Sequence, residues 1–182
     1  MKIGISINDI MRDIWSKIKQ VHEKYYESEI EGEVTEENIL KKLNFEDDAH
    51  LLDFLFEEAP MEIFGHSKEV SANFIHGLNE SVLKNQSHEI TLISDEVGRG
   101  IAGTYWFLAK YGCQIKNIKF IRQKEKKNIW DDFEVIVTDD EKIIKNKPIN
   151  KMLISTKKFK NVDVSVKKPI EILSLEIFKN EG

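Results

Sequence analysis

The stretch MKIGISINDIMRDIW, residues 1–15, decides how the chain is read. Residues 3–7 are almost all apolar or small, the composition of a strand buried on both faces of a parallel sheet. Asn8 or Asp9 then caps a helix. Ile10, Ile14, Trp15, Ile18 and Val21 recur at helical spacing, so that helix is amphipathic and runs to about Tyr26. A buried strand, a polar corner and an amphipathic helix form the opening unit of a parallel α/β fold.

The rest of the chain extends the pattern. Residues 27–37 (ESEIEGEVTEE) are acidic and read as a loop. Thr35 begins a capping box, TEEN, ahead of a short helix over 36–43. Residues 50–60 read as a helix that Pro60 limits, and 69–84 as another with Val70, Phe74, Leu78 and Val82 near one face. Strands follow over 89–94, 115–121, 133–138 and 151–156, with a further one over 162–166. A helix over 98–112 stops at Gly112, and a short one over 169–178 closes the chain. The expected fold class is therefore α/β. A Rossmann-like parallel sheet is flanked by helices, with a small helical cap inserted between the first strand and the others. The core is residues 1–13 and 86–182, and the cap-like insertion is 14–85. In such sheets ligands sit beyond the carboxyl ends of the strands. The informative residues are then Ser6, Asn8 and Asp9, Ser94 and Asp95, the run 122–127, Asp139 and Asp140, and Thr156.

Composition bounds the function. The 182 residues suit one domain with a small inserted subdomain. The net charge of −5 argues against non-specific nucleic-acid binding, which needs a dense basic surface. No run approaches the roughly 20 apolar residues that span a bilayer, and the first apolar run is too short for a signal peptide. One cysteine, Cys113, rules out an internal disulfide and is read as a buried small hydrophobe. The expectation is an intracellular or virion protein, neither secreted nor membrane-spanning. Lys outnumbers Arg 24 to 3, a bias toward A/T-rich codons that carries no chemistry.

Taken in order, these elements resemble the haloacid dehalogenase superfamily of phosphatases. Within it they resemble the small 5′-nucleotidase or deoxyribonucleotidase branch, including phage-encoded members. The resemblance spans nearly the whole chain. It implies a first motif, an apolar strand ending in Asp-x-Asp, where the first aspartate attacks phosphorus and the second moves a proton. Here KIGISINDI puts Ser6 at the nucleophile position and Asn8 at the acid/base position. The second motif, a strand ending in Ser or Thr that bonds the phosphate, matches TLIS and so Ser94. The helix carrying TYWFLAKYG follows it. The third motif is a lysine, for which Lys124, Lys126 and Lys127 are available. Lys124 and Lys127 join Ser94 as the expected vestigial phosphate-binding residues. The fourth, a strand ending in acidic residues that hold magnesium, matches FEVIVTDD and so Asp139 and Asp140.

Motif one departs from what the resemblance implies. A carboxylate nucleophile forms an acyl phosphate that water can cleave. A serine hydroxyl without an adjacent base is a poor substitute. Asn8 moves no proton at neutral pH, which removes general acid/base work worth roughly 10²–10⁴-fold. Magnesium loses two hard ligands as well. Asp9 is read as serving the helix N-terminus and Asp13 as solvated on its first turn. The histidines His22, His50, His66, His76 and His88 lie at no metal-ligand spacing. Phe54, Phe56, Phe64, Trp106 and Phe107 read as core or interface aromatics, because no basic residues interleave with them.

The leading expectation is a catalytically inactive scaffold with this fold, such as an oligomeric phage neck or tail-ring subunit. No catalytic residue and no cofactor are expected, and the partners are copies of itself and other virion proteins. The first alternative is a Mg²⁺-dependent phosphatase or 5′-nucleotidase acting on deoxynucleoside monophosphates. The second is a non-hydrolytic nucleotide or phosphate binder.

Overall fold

A computed structural model describes residues 1–84 and 87–179 of the chain. It contains one six-stranded sheet, parallel throughout, in the order β3-β2-β1-β4-β5-β6. The strands are β1 (Lys2–Ser6), β2 (Glu89–Ser94), β3 (Asn117–Phe120), β4 (Val135–Val137), β5 (Met152–Ser155) and β6 (Val164–Ser165). β1 lies inside the sheet, with Ile5 level with Leu92 on one side and Val137 on the other. Ile3 and Ile5 are fully buried, which is why this strand reads as an unbroken apolar run. The strand order reverses between β1 and β4, and this is where such sheets open a ligand crevice.

The chain forms two compact units. The first is Met1–Arg12, Glu69–Asp95 and Tyr111–Gly182 and holds the sheet. It also holds α4 (Phe74–Lys84) and α6 (Glu141–Lys145). One cluster of its core gathers Ile93, Ile121, Ile129, Trp130, Phe133, Ile136, Ile143, Ile144 and Leu153. The second unit is Asp13–Lys68 and Glu96–Lys110. It holds α1 (Ile14–Tyr26), α2 (Ile39–Lys42), α3 (Asp48–Asp53) and α5 (Arg99–Lys110). Its core runs from Ile14, Ile18 and Val21 through Phe45 and Phe54 to Ile63 and Phe64. This division differs from the expected one: residues 69–84 go with the sheet, and 96–110 go with α1. The expected boundary at 85/86 lies outside the described residues.

Several local expectations shift, each for a visible reason. The first helix starts at Ile14, not just after Asn8. Met11 N and Arg12 N both donate to Ile7 O, at 3.0 and 2.8 Å, and Asp9 sits at a φ of 70°. The corner is thus a tight loop that buries Ile10 and Met11. Asp13 is the cap, accepting from Ser16 N at 3.2 Å, so neither Asn8 nor Asp9 caps this helix. The helix expected over 69–84 begins at Phe74, because the Glu69 carboxylate accepts from Asn73 N and Ile75 N. The helical chain runs through Pro60 with one π-helical turn on each side, Phe54–Glu58 before it and Met61–Gly65 after it. Pro60 precedes the second turn, where its missing N–H costs little. Residues 169–178 form 3₁₀ turns, Pro169–Ser174 and Glu176–Phe178. Cys113 is half-buried.

Candidate functional site

The carboxyl edge of the sheet brings together the ends of β1, β2 and β4. Ser6, the last residue of β1, is buried, and its hydroxyl donates to Thr138 Oγ1 at 2.7 Å. Thr138 directly follows β4, so this bond spans the two strands where the order reverses. Thr138 Oγ1 also accepts from Asp140 N at 3.1 Å. Ser94 ends β2, level with Phe120, and is buried.

Asn8 is fixed from both sides. Its Oδ1 accepts from Arg12 Nε at 3.0 Å and Arg12 Nη2 at 2.7 Å, and its Nδ2 donates to Asp95 Oδ1 at 3.1 Å. Arg12 is fully buried. The tight loop after β1 makes this possible, since it folds residue 12 back over residue 8.

Lys126 is the centre of charge. It lies on the 3₁₀ turn Gln123–Lys127 and is 3% exposed. Its ammonium pairs with Asp95 Oδ2 at 2.7 Å and with Asp140 Oδ2. Burial pulls its pKa down, but the Asp95 and Asp140 carboxylates outweigh that and hold it above the usual lysine value. Of the three lysines in the run, Lys126 turns inward, while Lys124 and Lys127 are exposed. Gln123 extends the network, donating to Asp95 at 3.4 Å and accepting from Lys142 Nζ at 3.0 Å.

Asp139 and Asp140 have separate employments. Asp139 is buried and accepts from Ser155 Oγ at 2.5 Å, from Thr156 N at 2.8 Å and from Thr156 Oγ1. It therefore ties the end of β4 to the end of β5. Asp140 caps α6 through Lys142 N and Ile143 N, and its other oxygen meets Lys126. A magnesium ion takes hard oxygen ligands, carboxylates first. Here Ser6 and Asn8 carry no charge, and each carboxylate oxygen of Asp139 and Asp140 already accepts from a protein donor. Among the described residues, no three His, Cys, Asp or Glu side chains gather as a cation site. As arranged, these residues do not fit Mg²⁺.

The structure thus gathers Ser6, Asn8, Ser94, Asp139 and Asp140 at one edge of the sheet. Lys124 and Lys127 stay outside it. Two participants were not named from the sequence, Arg12 and Thr138; Asp95 was named only as a residue after a strand, and Lys126 only as one of three available lysines. One signal was available for Arg12. It is one of three arginines in a chain that otherwise uses lysine, and arginine's fork is what holds a planar amide from two directions.

No protein-family model and no curated protein sequence matches the chain. Among solved structures it is similar to a protein of Burkholderia xenovorans LB400 described as a haloacid dehalogenase-like hydrolase. The TM-score is 0.50 at 11% identity, covering 97% of this chain and 96% of that one. The fold is that of a haloacid dehalogenase-like hydrolase. The six parallel strands and flanking helices extend along nearly the whole of both chains in that likeness. Among the described residues, no helix is long and apolar enough to cross a membrane.

Proposed function

We propose that this chain is a haloacid dehalogenase-fold protein that does not turn over phosphate esters, and that it works by binding other molecules. The observation that carries this reading is the state of Asn8. An acid/base position must exchange a proton, and Asn8 is an amide pinned between a buried guanidinium and a carboxylate. Ser6 supports the same reading, since its hydroxyl donates to Thr138, a hydroxyl rather than a base. Lys126, which would offer charge to a phosphate, is neutralised by two carboxylates. The edge behaves as a satisfied polar keystone that holds the strand ends together.

A second reading is a phosphatase acting on nucleoside monophosphates. It is favoured by the neighbour described as a hydrolase and by a lysine kept beside Ser6's edge. Phosphate release from deoxynucleoside monophosphates and an aryl phosphate, with Mg²⁺, separates the two. The expected result is no release above buffer by the wild type. Release that is lost in Lys126→Met and Asp140→Asn variants, both shown to be folded, would establish the second reading instead.

A further inference from the structure

The second unit is electrically polarised along α1. At the start of this helix, Asp13 N donates to Lys68 O at 2.9 Å and Lys110 Nζ donates to Ser67 O at 2.8 Å. These bonds draw three segments together and place Lys68 and Lys110 beside Lys17 of the first turn. Lys17 feels Lys110, Lys24 and Lys68 electrostatically, with Glu62 as the opposing carboxylate. Trp106 lies beside them, one turn before Lys110 on α5 and about half exposed. Its indole rests against Gly65 near His66.

The other end of α1 is acidic. The chain leaves the helix at Glu27, and residues 27–37 carry six exposed glutamates. The backbone there is anchored, with Lys19 Nζ donating to Gly32 O at 2.9 Å and Lys42 Nζ donating to Glu31 O. The two ends are separated by about 15 Å, ten residues of helical rise.

Both charges sit on the wrong ends for the helix. Its N-terminus carries partial positive charge and favours anions, and its C-terminus favours cations. Asp13 and Lys24 obey that rule, but Lys17, Lys68 and Lys110 gather at the positive end and the glutamates at the negative end. Each end of one copy complements the opposite end of another. Exposed ion pairs alone contribute little, and the half-exposed Trp106 adds an aromatic anchor beside the lysines.

We infer that the chain associates head to tail, the acidic segment 27–37 of one copy docking on the Lys17–Lys68–Lys110 surface beside Trp106 of the next. A contact of this kind is heterologous, so it closes into a ring or continues as a filament. The inference rests on the second unit alone and holds whether or not the sheet edge is catalytic.

Sedimentation of the full chain tests it. The wild type should sediment as an assembly at low ionic strength and fall apart near 1 M salt, where screening acts within about 3 Å. Two variants neutralise one surface each: Lys17→Gln/Lys68→Gln/Lys110→Gln, and Glu29→Gln/Glu31→Gln/Glu33→Gln. Each alone should be monomeric with an unchanged circular dichroism spectrum. Mixed, they should form a dimer and no more, because only one intact contact remains. A wild type that stays monomeric at low salt overturns the proposal, as does an assembly that survives either set of changes. A monomer that binds a single-stranded oligonucleotide through the three lysines also overturns it, assigning that surface to a polyanion.

Discussion

At the residue scale, Lys126 shows what the sequence could and could not convey. Ser6, Asn8, Ser94, Asp139 and Asp140 were legible because each stands at a fixed offset from a strand, and strands were readable from their apolar runs. Lys126 was not, because a run such as RQKEKK turns side chains inward or outward by a local 3₁₀ twist that no periodicity announces. Its role is testable. Lys126→Met strands two carboxylates at the edge of the core. Removing one partner of a fully buried pair costs about 3–5 kcal/mol; Asp95 and Asp140 keep some exposure, so a loss of about 2–3 kcal/mol is expected. The effect should depend on pH in one direction. The folded protein holds this proton above the ordinary lysine value of 10.5. Above that pH the unfolded chain releases the proton while the folded chain keeps it, so stability falls as pH rises. Below it, the stabilisation is complete. Urea unfolding should therefore show a constant gap between wild type and Lys126→Met from pH 7 to 9, narrowing beyond about pH 10.5. A gap that is absent at pH 7 would remove Lys126 from the centre of the network.

At the element scale, the second unit depends on a close approach that helix propensity does not describe. α5 packs on the π-helical turn Met61–Gly65. A Cβ on Gly103 would come within 2.9 Å of Phe64 Cβ, 3.0 Å of Pro60 O and 3.2 Å of Gly65 N. Two of these are backbone atoms and cannot rotate away. Gly103→Ala should therefore cost about 1–3 kcal/mol, the range for forcing a packed core apart. Gly98 offers the comparison. It has open space around its Cβ position but a φ of 52°, so Gly98→Ala should cost only the left-handed penalty of about 1–2 kcal/mol. The two separate when the side chain grows. Gly103→Val should be far worse than Gly103→Ala, while Gly98→Ser should match Gly98→Ala. Thermal unfolding of the four variants checks this, and equal losses in both pairs would mean α5 has room to shift. The same elements explain the misjudged boundaries. α1 begins late because a loop of reversed backbone at Asp9 precedes it. α4 begins late because Glu69 caps it from several residues upstream. Both devices depend on geometry that apolar spacing cannot reveal.

At the scale of the whole molecule, the parallel sheet was legible and the division into units was not. Buried parallel strands announce themselves by composition, whereas nothing in the sequence says which core a crossover helix joins. α5 follows β2 in the chain yet belongs with α1. Two units with separate apolar cores need not lose structure together, and His22 offers a way to see them part. It is buried in the second unit, stacked on Tyr26 at 4.4 Å with Phe45 and Phe54 edge-on. It bonds the Leu43 backbone at the end of α2, and Ser28 Oγ lies 3.4 Å from its Nδ1. Burial lowers its pKa; the Leu43 bond and Glu23 oppose the shift, and His50 adds to it. As pH falls through about 6.5, the free-histidine value, the unfolded chain takes up a proton that the folded unit resists. Stability of that unit is thus complete above this pH and declines below it, by at most about 1.4 kcal/mol per pH unit for one proton. Hydrogen exchange, corrected for intrinsic rate, should show α1 and residues 28–45 losing protection between pH 7 and 5 while β1 and β4 keep theirs. His22→Phe should abolish that difference, because an aromatic ring of similar size stays in the cage without a proton to gain. Equal loss across both units, or a pH response that persists in His22→Phe, would show that the two cores open as one and that His22 does not set the response.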